Sequence, residues 1–80
     1  MSYREIETVR DDDGVIAIIT ERIATGHLSY RIMREYDMAG ETKITPYLGR
    51  RHGEGVRRIT RKVQDRIDIL TDTARQKRRP

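Results

Sequence analysis

Cysteine, phenylalanine and tryptophan are all absent from this sequence of 80 residues. The first absence removes disulfides and thiolate metal sites as sources of stability, and with them the disulfide-rich secreted class, so a reducing cytoplasm is the expected compartment. The other two leave Ile, Val, Leu, Met and four Tyr to build whatever core exists, and that core must be thin. At this length an apolar core alone is close to the lower limit for holding a fold. Such a chain gains from burying its remaining apolar surface against a second copy, and a homodimer is the expected arrangement. Long hydrophobic runs are missing too. Met1-Ser2-Tyr3-Arg4-Glu5 opens directly into a charged pattern, and nothing approaches the length of a signal peptide or a membrane span. A soluble protein with no membrane partner is expected.

Charged residues make up 38% of the chain and the formal net charge is +4. That net value hides a division. Residues 1–49 carry 6 Lys/Arg against 9 Asp/Glu, whereas residues 50–80 carry 11 against 4. All of the positive excess therefore lies in the second part, which suggests an acidic partner such as nucleic acid. The ordinary alternative is an Arg-rich helix face that serves solubility.

Local patterns give an α+β fold, an antiparallel β-meander of three to four strands followed by one C-terminal amphipathic helix (ββββα). Tyr3 to Arg10 reads as a short edge strand, closed by the turn residues Asp11-Asp12-Asp13-Gly14. The acidic triplet lacks the alternating ligands and late Glu of a calcium loop and is expected to be a plain turn. Val15 to Ile23 is a β-branched run, followed by a second strand from Leu28 to Tyr36. A two-residue Thr25-Gly26 loop would pair Ile23 with Leu28, Glu21 with Tyr30, Ile19 with Ile32, Ala17 with Arg34 and Val15 with Tyr36. The opposite face would still hold Ile16, Ile18 and Met33 and so offer a contact surface. Asp37-Met38-Ala39-Gly40-Glu41 suggests a three-residue hairpin loop, which would set Arg34 against Ile44, Ile32 against Pro46 and Tyr30 against Leu48. Pro46 cannot donate to a ladder, which places this strand at an edge or ends it near Pro46.

Val56, Ile59, Val63, Ile67 and Leu70 then recur at helical spacing, predicting one helix from about Glu54 to Ala74 with this stripe on the sheet. Ile69 falls off the stripe. The domain is expected to span residues 1–74, with residues 75–80 a disordered basic tail because it has no apolar anchor.

Catalysis finds little material. Neither His27 nor His52 has an obvious partner, no nucleophile elbow surrounds Ser2 or Ser29, and no spacing forces two carboxylates together, so a non-enzyme without cofactor is expected. His52 with Glu54 supplies too few ligands for a metal. The stretch from Gly49 to Gly55 places three glycines, Arg50, Arg51 and His52 just before a helix start, where free amides can cradle a phosphate. A flexible connector explains the same glycines. Along the helix Arg57, Arg58, Arg61 and Lys62 lie early, with Arg66 beyond them, mostly away from the apolar stripe. With Arg50 and Arg51 they could follow a phosphate backbone.

Tyr30-Arg31-Ile32-Met33-Arg34-Glu35-Tyr36, then Gly40-Glu41, then Ile44 to Leu48 and a helix, resembles the single-stranded-DNA-binding domain of the transcriptional coactivator PC4 and its bacterial relatives. The resemblance covers about half of the chain. It implies a dimeric four-strand-plus-helix fold, single-stranded DNA as ligand, and Arg31, Lys43 and Tyr47 as sheet-face contacts that serve backbone binding and base stacking. Two readings follow from the sequence: a small nucleic-acid-binding or regulatory domain, and a non-catalytic interaction module that is a homodimer or an adaptor.

Overall fold

The structure, a computed structural model, describes residues 2–49 and 53–77. Four strands form one antiparallel sheet in the order β1-β2-β3-β4: β1 is Tyr3–Arg10, β2 Val15–Arg22, β3 Leu28–Met38 and β4 Glu41–Pro46. A single helix, α1, follows at Glu54–Lys77. The chain is thus an α+β domain of ββββα order, as its patterning predicts.

The turns correct two details. Between β2 and β3 the Arg22 N–H donates to the His27 carbonyl at 2.9 Å and the Gly26 N–H to the Arg22 carbonyl at 2.7 Å. This closes a four-residue loop, Ile23–Gly26, with Gly26 at φ 74. Ile19 consequently faces Tyr30 rather than Ile32, and Ala17 faces Ile32 rather than Arg34. A slip of two residues keeps each side chain on its expected face, so the apolar surface survives. Ile23 is lost from it, exposed in the loop instead of paired with Leu28.

Met38 pairs with Glu41 across a two-residue Ala39-Gly40 loop in which both residues have positive φ, 54 and 81. That is the type I′ geometry whose twist matches the flanking strands. Asn-Gly and Asp-Gly are its usual sequences, and Ala39 accepts the left-handed conformation at a cost of about 1 kcal/mol. The expected three-residue loop differs by one residue, and a one-residue slip reverses the faces of a strand. Lys43 and Thr45 therefore join the helix side, opposite Tyr36 and Arg34, while Ile44 and Pro46 lie on the reverse side, opposite Glu35 and Met33. The apolar face spans β1 to β3 and does not continue onto β4.

The core sits between β2 and the helix stripe. Val15, Ala17 and Ile19 pack against Ile59 and Val63, and Ile6, Val9, Leu28, Tyr30, Ile32, Tyr47, Ile67 and Leu70 surround them. Ile6 reaches this cluster from a bulge between Glu5 and Glu7 that re-aims the β1 edge. Each fully buried Ile or Val contributes roughly 1.5–3 kcal/mol, which is how so few apolar residues hold the fold.

On the reverse face, two of the residues expected to offer a contact surface, Ile16 and Ile18, are buried within the chain. Arg10 on β1 reaches Glu35 on β3, with both guanidinium contacts at 3.2 Å, and Arg31 on β3 reaches Glu5 on β1 at 2.9 Å. These ion pairs span β2 on the face that holds Ile16 and Ile18, which are 1% and 5% exposed and are the cross-strand neighbours of Arg10 and Arg31. Beneath them the Thr20 and Ser29 hydroxyls share a hydrogen bond at 3.0 Å.

The helix also outlasts its expected end at Ala74. Arg75, Gln76 and Lys77 continue it. Arg, Gln and Lys are good helix formers, and cations suit a helix C-terminus. Of the expected tail, residues 78–80 lie outside the described residues. Among the described residues no helix is long and apolar enough to cross a membrane.

Candidate nucleic-acid interface

One helix, about 10 Å across, can cover only about two strands spaced at about 4.8 Å. Here α1 runs along β2, and its ion pairs reach to one side. Arg58 Nε lies 3.1 Å from Asp11 and its second nitrogen 2.9 Å from Asp13, Lys62 Nζ lies 3.2 Å from Asp11, and Arg66 Nε lies 2.7 Å from Glu7. All three carboxylates belong to β1 or to the β1–β2 turn, so one flank of the helix is tied to that edge.

Asp11 is the centre of this lattice. Its carboxylate accepts the Asp12 backbone N–H at 2.8 Å, and then Arg58 and Lys62. Together these hold its pKa down from 3.8 to about 2, the backbone hydrogen bond acting most strongly. The Arg58 pKa is raised in turn, chiefly by its hydrogen bond to Asp11. The acidic triplet is therefore a docking turn for the helix. Among the described residues no three His, Asp or Glu side chains are placed to hold a metal ion.

The same turn bears on the phosphate cradle proposed for the Gly49–Gly55 stretch. Asp13 accepts the Val15 N–H at 3.2 Å and reaches the first turn of α1, where any side chain at Gly55 would collide with its carboxylate. The Asp13 carboxylate therefore lies beside the first turn of α1, where negative charge complements the helix dipole. Arg50, Arg51 and His52, the basic members of the stretch, lie outside the described residues.

The structure thus divides the predicted basic helix. Arg58 and Lys62 are bound to carboxylates of the sheet, whereas Arg57 and Arg61 are exposed and form no ion pair among the described residues. Helical spacing puts Arg57 on the flank opposite Lys62 and Arg66, facing β3, with Arg61 nearer the crest. The sheet-face residues divide as well. Arg31 lies on the reverse face against Glu5, while Lys43 and Tyr47 lie on the helix side, Tyr47 packed against the core. The three therefore do not share one surface.

Lys43 does share a surface with residues that sequence reasoning did not single out. Arg34 and Tyr36 project on the same side as Lys43, each paired across to β4, and all three are exposed. Arg34 forms no ion pair among the described residues, and Lys43 has only the exposed Glu41 at 3.9 Å. The pairing expected from the sequence already sets Arg34 and Tyr36 on the face of Ala17 and Val15, the helix side, without marking them as a binding surface. That the helix leaves them bare follows from its packing chiefly on β2 and not on β4. The result is a shelf with Arg57 on its wall, Arg61 above it toward the helix crest, and Arg34, Tyr36 and Lys43 on its floor. No family model, curated protein or solved structure matches this chain.

Proposed function

We propose that this domain binds single-stranded nucleic acid, single-stranded DNA foremost, along the shelf between α1 and β3–β4. One observation carries the reading: the cations facing β1 are neutralised by carboxylates, whereas Arg34, Arg57 and Arg61 are left without a carboxylate partner among the described residues. Unpaired guanidinium groups on one surface follow a phosphate backbone, and an exposed tyrosine among them gives a base a face on which to stack. Arg50 and Arg51, in the segment leading to α1, would add to the same electrostatic field. The cytoplasm is the compartment we assign to this cysteine-free chain. A second reading, a non-catalytic module that self-associates, is favoured by the bare edge of β4 and is compatible with the first.

Fluorescence anisotropy with a labelled single-stranded oligonucleotide tests the proposal. Four shelf cations, Arg34, Lys43, Arg57 and Arg61, predict a log–log slope of affinity against salt of about −3. Arg57→Glu with Arg61→Glu should weaken binding at least tenfold. Arg4→Glu, a charge reversal on β1, should have a smaller effect. Absence of binding at low salt, or equal losses from the two sets, would overturn the proposal.

A further inference from the structure

We infer that β4 is a self-pairing edge, at which two copies of this chain join antiparallel about a two-fold axis through Ile44 to form one eight-stranded sheet. The inference rests on the self-association reading and gives it an interface. The two edges of the sheet differ. β1 carries a bulge at Ile6 and the charged residues Arg4, Glu5, Glu7 and Arg10, devices that keep another strand from adding. β4 has no bulge, and α1 does not lie over it. Its only charges, Glu41 and Lys43, share the helix side.

The hydrogen-bond phase of β4 selects the register. The Tyr47 N–H donates to the Ile32 carbonyl at 3.4 Å, so by alternation residues 41, 43, 45 and 47 bond inward to β3, and Thr42, Ile44 and Pro46 present their backbone outward. With the axis on Ile44, that residue exchanges two bonds with its counterpart. Thr42 donates to the Pro46 carbonyl of the other copy, and the missing Pro46 N–H leaves no donor stranded. Lys43 then faces Thr45, and no like charges oppose. Moving the axis to Lys43 sets two ammonium groups against each other. Moving it to Thr42 brings Ile44 against Gly40, which turns at φ 81 and is not extended. Moving it to Thr45 places Ile44 against Pro46 and loses the reciprocal bonds.

The arm itself needs such a partner. The Glu35 N–H bonds to the Gly14 carbonyl at 2.8 Å, and beyond that point β3 has only β4 beside it. A two-stranded ribbon is marginal alone. This one nevertheless exposes Tyr36 and Met38, at 38% and 56%, and Ile44 at its base, opposite Glu35, is 44% exposed. Pairing makes the ribbon four-stranded and sets Ile44 against its counterpart. Because the axis is normal to the sheet, both helices lie on one side, and Arg34, Tyr36 and Lys43 of both copies line one continuous surface.

Sedimentation velocity from micromolar to millimolar concentration, combined with engineered thiols, tests this. The chain has no cysteine, so a single introduced thiol reports alone. A dimer is expected, with Ile44→Cys oxidising quickly to a linked pair, Thr8→Cys on β1 remaining monomeric, and Ile44→Lys weakening the dimer at least tenfold while circular dichroism stays native. A wild-type chain that sediments only as a monomer overturns self-association and this register together. A dimer that persists in Ile44→Lys, or that links as fast through Thr8→Cys, overturns the β4 axis alone.

Discussion

The β1–β2 side of the sheet and the β3–β4 side are built from the same kinds of residues but use their charges in opposite ways. On the first side every helix cation that faces the sheet meets a carboxylate, and beneath that lattice lie the buried Val15, Ala17, Ile19, Ile59 and Val63. On the second side Arg34, Arg57 and Arg61 meet none among the described residues, and Tyr36, Met38 and Ile44 stand in solvent. Net charge alone does not locate a binding surface in such a domain. What matters is which cations remain after the fold has used its own anions.

The contrast should break most severely in the core. Ile59→Ala removes a fully buried side chain and should cost about 2–5 kcal/mol in urea unfolding, whereas Ile44→Ala on the arm should cost less than about 1 kcal/mol in the monomer. Similar losses at the two sites would mean that the arm belongs to the same cooperative core.

Binding should show the reverse distribution. The double reversal at Arg57 and Arg61 should leave the melting temperature nearly unchanged while weakening oligonucleotide binding at least tenfold, because neither guanidinium is used by the fold. Arg58→Ala should do the opposite, lowering the melting temperature by a few degrees and leaving the salt dependence of binding in place.

Acid should release the locked side first. The Asp11 carboxyl titrates at about 2 in the folded chain against 3.8 as its ordinary value, so its contribution to stability is complete above 3.8 and is lost as pH falls from there toward 2. Thermal melts across this range should show the decline, and Asp11→Asn should flatten it. The smallest effect belongs to the turn. Ala39→Gly relieves a positive φ and should stabilise the arm by a few tenths to about 1 kcal/mol, read as a small shift in the urea midpoint.

Much of the fold is legible in the sequence because the two hydrophobic periods are distinct. The β-branched run of β2 and the stripe at Val56, Ile59 and Val63 have no other good arrangement. Turn chemistry is where legibility ends. Thr25-Gly26 and Met38-Ala39-Gly40 each permit loops of more than one length, and a single residue at the second loop decides whether Lys43 or Ile44 faces the helix. The site depends on pairing over long separations. Nothing local to Arg58 or Lys62 marks them as partners of Asp11, 47 and 51 positions away. Arg57 and Arg61 look the same in sequence as the arginines the fold consumes.

Amide chemical-shift mapping on labelled protein titrated with a single-stranded oligonucleotide tests most directly whether the bare side is the binding side. Shifts concentrated at Arg34, Tyr36, Lys43, Arg57 and Arg61, with Arg4, Arg10 and Arg31 unmoved, are the predicted result. Shifts centred on β1 and the reverse face, or none at low salt, would contradict it.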